Sequence, residues 1–261
     1  MTTSTVYYKV TNELECHHGF QYQDGLNELP DPFVEEGTCV PGGFYFTSKD
    51  FIHHFLSLGV YIREVRLPTE DPEFRMVKDQ SGKCWRANKI ILGKRYNIFS
   101  IDISNTFSNI TKIDILYACC RVGQLNTLKQ LIETVDRYYF NSIRALEYAI
   151  TNYQLDIVKF IYSKYNLADY KQTLIYLSIA SGDISIISFI FNQYPHVYID
   201  SRVMNYAIGK RDMRIIEFLH NRSCNVSEMT IKTAKESGDP IIIHFFQQQY
   251  PDLFEESEKE E

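Results

Sequence analysis

Between Asp114 and Gln249 one short pattern occurs five times, and a chain that repeats itself at a short fixed period folds as a stack of like units. Three copies read L-Y-A-C-C-R-V-G-Q-L-N-T-L-K-Q-L-I from Leu116, I-Y-L-S-I-A-S-G-D-I-S-I-I-S-F-I-F from Ile175 and M-N-Y-A-I-G-K-R-D-M-R-I-I-E-F-L-H from Met204. The other two begin at Leu146 and Ile231. With Gly123, Tyr153, Gly182, Arg211 and Gly238 taken as the turn residue, successive turns lie 30, 29, 29 and 27 residues apart.

The spacing within a unit defines two helices. Four residues before the turn stands a small residue (Cys119, Ala149, Ser178, Ala207, Ala234), and three further back an apolar one (Leu116, Leu146, Ile175, Met204, Ile231). Separations of three residues mark one closely packed helix face. After the turn, pairs such as Ile157-Val158, Ile186-Ile187 and Ile215-Ile216 are followed three residues later by Phe160-Ile161, Phe189-Ile190 and Phe218-Leu219. That is the i, i+3, i+4 pattern of a second amphipathic helix. Gln154, Asp183, Asp212 and Asp239, just past the turns, are predicted to cap these second helices, and Pro240 suits a first helical turn. Two such helices cannot bury both apolar faces alone, so the units must stack.

These segments resemble the ankyrin repeat over a little more than half the chain. S-G-D-I-S-I-I-S-F-I from Ser181 is similar to the family's G-H-x-E-I-V-K-L-L, and T-L-I-Y-L-S-I from Thr173 stands where the family has T-P-L-H-L-A-A. No unit keeps the Pro-Leu-His core of that motif, and the period is shorter than the family's, about 33 residues. The missing residues belong to the hairpin fingers, which are therefore expected to be stunted or replaced by simple loops. The resemblance implies a concave face of inner helices that binds partners. In its register the exposed positions carry Tyr117, Arg121, Glu147, Asn152, Tyr176, Ser181, Asn205, Lys210, Lys232 and Glu236. Tyrosine and arginine are favoured anchors of protein interfaces.

Charge bears on the partner. The net formal charge is −6, but residues 250–261 hold six acids against Lys259, and this stretch is expected to be a disordered solubilising tail. The block 111–249 is close to neutral, with 15 basic and 13 acidic residues, which argues against nucleic acid as a partner. No apolar run approaches the roughly 18 residues of a membrane span, and the first residues are predicted to form no secretory leader. Of six cysteines three fall in the repeats, where they read as small buried apolar residues suited to a reducing compartment.

The first hundred residues lack any helical period. Segments 6–10, 43–47, 60–67, 74–77 and 89–93 read as strands, with the alternation slipping between Ile62 and Val65. A short helix is predicted after Thr47 or Ser48, stopped by Gly59, and D-Q-S-G-K from Asp79 reads as a turn into C-W-R-A-N-K-I-I-L. The chain thus divides into a small α+β module (1–98), a packed connector (99–112), about five degenerate repeats (113–250) and the tail (251–261). In class it is an α+β N-terminal domain followed by an all-α ankyrin-like helical repeat solenoid. Y-K-V-T-N-E, H-H-G-F-Q-Y-Q-D-G-L-N, G-T-C-V-P-G-G-F-Y-F-T and G-V-Y-I-R-E-V-R-L-P resemble the N-terminal module of ankyrin-repeat proteins from giant DNA viruses of the Mimivirus type. That resemblance implies a viral protein in the host cytoplasm, with packaging in the virion as an alternative.

Other constellations compete with the binding surface. Cys16-His17-His18, Cys39, Cys84 and His53-His54 lack metal-ligand spacing, so no metal and no cofactor is expected. The G-x-Y-F stretch at Tyr45 is similar to one in ADP-ribosyltransferases. An enzyme in residues 1–100 would show His17 or His18, Tyr45 and an acid converging on one pocket, whereas an adaptor would have a filled front domain. The reading adopted is a non-enzymatic protein that binds a host-encoded protein. An ADP-ribosyltransferase-like front domain and a structural component of the virion are its alternatives.

Overall fold

The computed structural model describes residues 5–37, 40–100, 102–136 and 138–259, and divides into two compact units, Met1–Asn141 and Ser142–Glu261. The first contains the strand-rich region, the connector and the first repeat.

Nine strands are formed among the described residues of the first unit: β1 (Tyr7–Thr11), β2 (Cys16–His17), β3 (Phe20–Gln21), β4 (Gly25–Glu28), β5 (Phe44–Thr47), β6 (Tyr61–Arg66), β7 (Met76–Lys78), β8 (Cys84–Ala87) and β9 (Lys89–Asn97). Seven make one antiparallel sheet in the order β4-β9-β6-β1-β5-β8-β7, and β2 and β3 form a separate hairpin. The hairpin turn is His18-Gly19, both at positive φ, the combination that matches strand twist in two-residue loops. β2, β3 and β4 were not anticipated: β2 and β3 have two residues each, and β4 finds its partner β9 more than sixty residues away. The slip between Ile62 and Val65 is a β-bulge in β6, with the register against β9 shifting between Arg63 and Val65. It lets Ile62, Arg63 and Val65 all be buried.

A 3₁₀ helix, Lys49–Leu58, follows β5 and buries Ile52 and Leu56. Ser48 stands at its N-cap without a capping bond, and Gly59 is extended (φ 173°) rather than left-handed. A Cβ on Gly59 would lie 2.0 Å from the Thr11 carbonyl oxygen, so glycine is required there by close approach, not by helix termination. Ile98, Ile103, Phe107 and Ile110 are buried around a short helix, α1 (Ile103–Thr106), and Phe107 meets the rings of Tyr8 and Tyr96 edge-on.

The repeats are five helix pairs among the described residues. α2 (Lys112–Val122) and α3 (Leu125–Ile132) belong to the first unit. α4 (Ser142–Thr151) with α5 (Leu155–Lys164), α6 (Lys171–Ser181) with α7 (Ile184–Gln193), α8 (Ser201–Lys210) with α9 (Met213–Asn221), and α10 (Glu228–Glu236) with α11 (Pro240–Gln249) make up the second. All five turn residues adopt positive φ: Gly123, Gly182 and Gly238, but also Tyr153 (61°) and Arg211 (55°). All five small residues and their apolar partners three positions back are fully buried. Among the described residues no strand forms after Asn97, so simple loops replace the fingers.

Asp183, Asp212 and Asp239 cap α7, α9 and α11, accepting backbone N–H groups of the first turn. Gln154 does not cap α5. Its amide donates instead to the Asn152 carbonyl at 2.7 Å, the longer side chain having turned away from the helix end. The acidic tail, expected to be disordered, begins as a further helix, α12 (Pro251–Lys259). Pro251 opens it, Asp252 lies in the first turn, and Phe254 is buried and anchors it against α10.

Candidate functional site

In the second unit α4, α6, α8 and α10 pack side by side in that order. Eight of the ten residues expected on the binding face lie on or just past them, while Tyr117 and Arg121 lie on α2 in the first unit. Glu147, Asn152, Lys210, Lys232 and Glu236 are exposed. The other five are half-buried, and three of those have structural duties. The Tyr117 hydroxyl accepts the Asn141 N–H at 3.2 Å, and its ring stacks on Phe140. Ser181 donates to the Ser178 carbonyl at 2.6 Å and accepts the Asp183 N–H, closing a turn. Tyr176 points its hydroxyl at Asp200, 3.5 Å away, which with the buried Cys224 raises its pKa beyond what burial does first. Asn205 is half-buried with its Oδ1 unpaired. Arg121 is half-buried on the last turn of α2.

Sequence register left several exposed aromatics out of the binding face. Tyr206 on α8 is exposed and carries the Lys210 ammonium 5.4 Å above its ring. Tyr138, Tyr139, Tyr170 and Tyr198 stand exposed in the inter-repeat segments. Their signal was present as tyrosines falling between the periodic segments, where no core position exists for them.

The repeat cysteines are inert. Cys119 and Cys120 are fully buried; burial pushes the Cys119 thiol up, and that of Cys120 up to about 12. Among the described residues no three histidine, cysteine or acidic side chains gather to hold a metal ion, and Cys39 lies outside the described residues. The rings of His53 and His54 lie 4.0 Å apart, tilted by 38°, with His53 Nδ1 3.2 Å from the Asn109 amide.

The front domain is not filled. Two adjoining cavities, of about 190 and 560 Å³, open against the sheet, and His17, His18, Tyr22, Gly43 and Tyr45 line both. The larger also reaches Asp31, so the histidines, Tyr45 and an acid do converge. Their positions follow from local structure. Asn12 closes the turn before β2 through two bonds to Cys16, and its backbone N–H donates to His17 Nε2 at 3.1 Å. Burial first, then the charges of Lys9 and His18, lower the His17 pKa to about 4, so the ring is neutral with its proton on Nδ1. The Tyr45 hydroxyl donates to the Val40 carbonyl at 3.0 Å across the Pro41-Gly42-Gly43 bend, where Gly42 has a positive φ.

No family model matches the chain. An ankyrin repeat protein of Acanthamoeba polyphaga mimivirus is 37% identical over 180 residues, covering 66% of this chain and 89% of that protein. A further protein of the same virus is 39% identical over 155 residues, 59% of this chain and 94% of that one. Another of its ankyrin repeat proteins is 42% identical over 111 residues, 38% and 36% of the two chains. With five phased helix pairs and relatives spanned almost end to end, the chain belongs to the Mimivirus ankyrin repeat proteins.

Proposed function

We propose that the chain is a non-enzymatic adaptor whose inner helices bind a host-encoded protein in the host cytoplasm. One observation carries the reading: within the packed row of inner helices the exposed positions on or just past α4, α8 and α10 bear Glu147, Asn152, Lys210, Lys232 and Glu236, polar residues with no core duty, together with the exposed Tyr206. Solenoids offer such a face as one continuous surface, and an aromatic ring among mixed charges is a favourable anchor on it. No helix of the described residues is long and apolar enough to cross a membrane. The test is affinity capture from host-cell lysate with the full chain and with a variant carrying alanine at those five polar positions. Retention of a host protein by the first and its loss by the folded variant supports the reading; equal capture by both overturns it.

The convergence of His17, His18, Tyr45 and Asp31 on one cavity favours a second reading, an ADP-ribosyltransferase-like front domain targeted by the repeats. Against it stand the Tyr45 hydroxyl, committed to Val40, and the exposure of Asp31. Transfer of label from labelled NAD to protein by the full chain, abolished by Tyr45→Ala, would establish this reading in place of the first.

A further inference from the structure

The smaller cavity contains a charge that the protein does not balance. Lys9 is on β1 at the centre of the sheet and is only 7% exposed. Its ammonium donates to the Tyr45 carbonyl at 2.9 Å and lies 4.8 Å from the centre of the Tyr22 ring. Among the described residues no carboxylate pairs with it. Arg63, opposite Lys9 on β6, holds both nearby acids: its guanidinium takes Glu15 with two bonds of 2.8 Å and also bonds Asp24. The titratable groups lining the cavity around Lys9 are Tyr8, His17, His18, Tyr22, Tyr45 and Cys84, and none is an acid. A desolvated cation without a counter-charge is unfavourable, and burial accordingly lowers the Lys9 pKa to about 8. It still carries its charge at neutral pH and has hydrogen-bond capacity to spare, since an ammonium has three donors.

We propose that this cavity binds a small organic anion, a carboxylate or phosphate monoester on a ring-sized apolar body, with the Lys9 ammonium as counter-charge. The His17 Nδ1–H adds a neutral donor. Tyr22, Phe46 and Phe55 supply apolar walls for the body. The size fits: about 190 Å³ is available, and an apolar cavity of about 150 Å³ holds a benzene ring. The site is independent of the repeat surface and requires no covalent step.

Calorimetric titration of the full chain with benzoate, phenyl phosphate and neutral benzyl alcohol tests it. At least one anion should bind, with the alcohol at least tenfold weaker, and the preferred anion separates a carboxylate from a phosphate ligand. The affinity of the unaltered protein for that anion should fall about tenfold per pH unit above about 8, as Lys9 gives up its proton. Lys9→Met should abolish the anion preference. Failure of both anions to bind, equal binding of the alcohol, or an affinity flat from pH 7.5 to 10 would overturn the proposal. The pH series needs no variant, so poor folding of Lys9→Met leaves it decisive.

Discussion

Two glycines show how different physics hides behind the same letter. A Cβ on Gly182 would meet nothing within 4 Å, so Gly182→Ala should cost only the left-handed backbone strain, about 1 kcal/mol, read from the urea midpoint. Gly59→Ala drives a Cβ into the Thr11 backbone and should cost about 3 kcal/mol or more, or prevent the first unit from folding. Sequence gave no sign of that distinction, since Gly59 followed a helix as a terminating glycine does. His17 supplies a pH signature. Its folded pKa of about 4 lies below the ordinary histidine value of 6.5, so between these the unfolded chain binds a proton that the native state refuses. Stability is therefore full above about 6.5 and declines as pH falls toward 4, because burial first, then the charges of Lys9 and His18, disfavour the imidazolium in the folded protein. Denaturation at pH 7 and pH 5 should show the decline, and a His17→Asn variant should lack that part of it.

At the scale of elements, the repeat turns and the buried inner-helix positions were legible, because each recurs five times and the copies vouch for one another. The caps were legible where the residue was aspartate. Asp183→Ala should cost about 1 kcal/mol by freeing two N–H groups of α7, whereas Gln154→Ala should be nearly silent in α5. Arg211 was less readable: it occupies a glycine position at positive φ, but its guanidinium donates to the Ser237 carbonyl at 2.8 Å, tying its own turn to the next. The front sheet was legible in β1, β5, β6, β7 and β9 but not in β4, and the β2–β3 hairpin beside it was not legible either. β2 and β3, although they pair locally, have only two residues each, and β4 pairs β9 more than sixty residues later, which no local period encodes. The same holds for the cavities. Lys9, His17, Tyr22 and Tyr45 come together only once β1, β5 and the β2–β3 hairpin are in place.

As a whole molecule, the protein combines a sheet domain that carries the first repeat with a second unit of four repeats closed by α12. Phe254 of α12 is buried and bears the Lys235 ammonium 4.6 Å above its ring, so the end of the stack is covered by the stretch that composition alone reads as a solubilising tail. Charge runs report solvation, but this one also carries Phe254, whose side chain is buried.

The central claim is that the inner-helix face is the working surface, and a comparison of two faces tests it most directly. The dissociation constant of the captured host protein would be measured for the full chain, for the alanine variant of Glu147, Asn152, Lys210, Lys232 and Glu236, and for a control with alanine at the exposed outer-helix residues Asp156, Lys159, Ser185, Glu217 and Gln247. Binding should weaken about 100-fold or more in the inner-face variant and change by less than about threefold in the control. The reverse pattern, with the outer-face control losing the partner and the inner-face variant keeping it, would contradict the account.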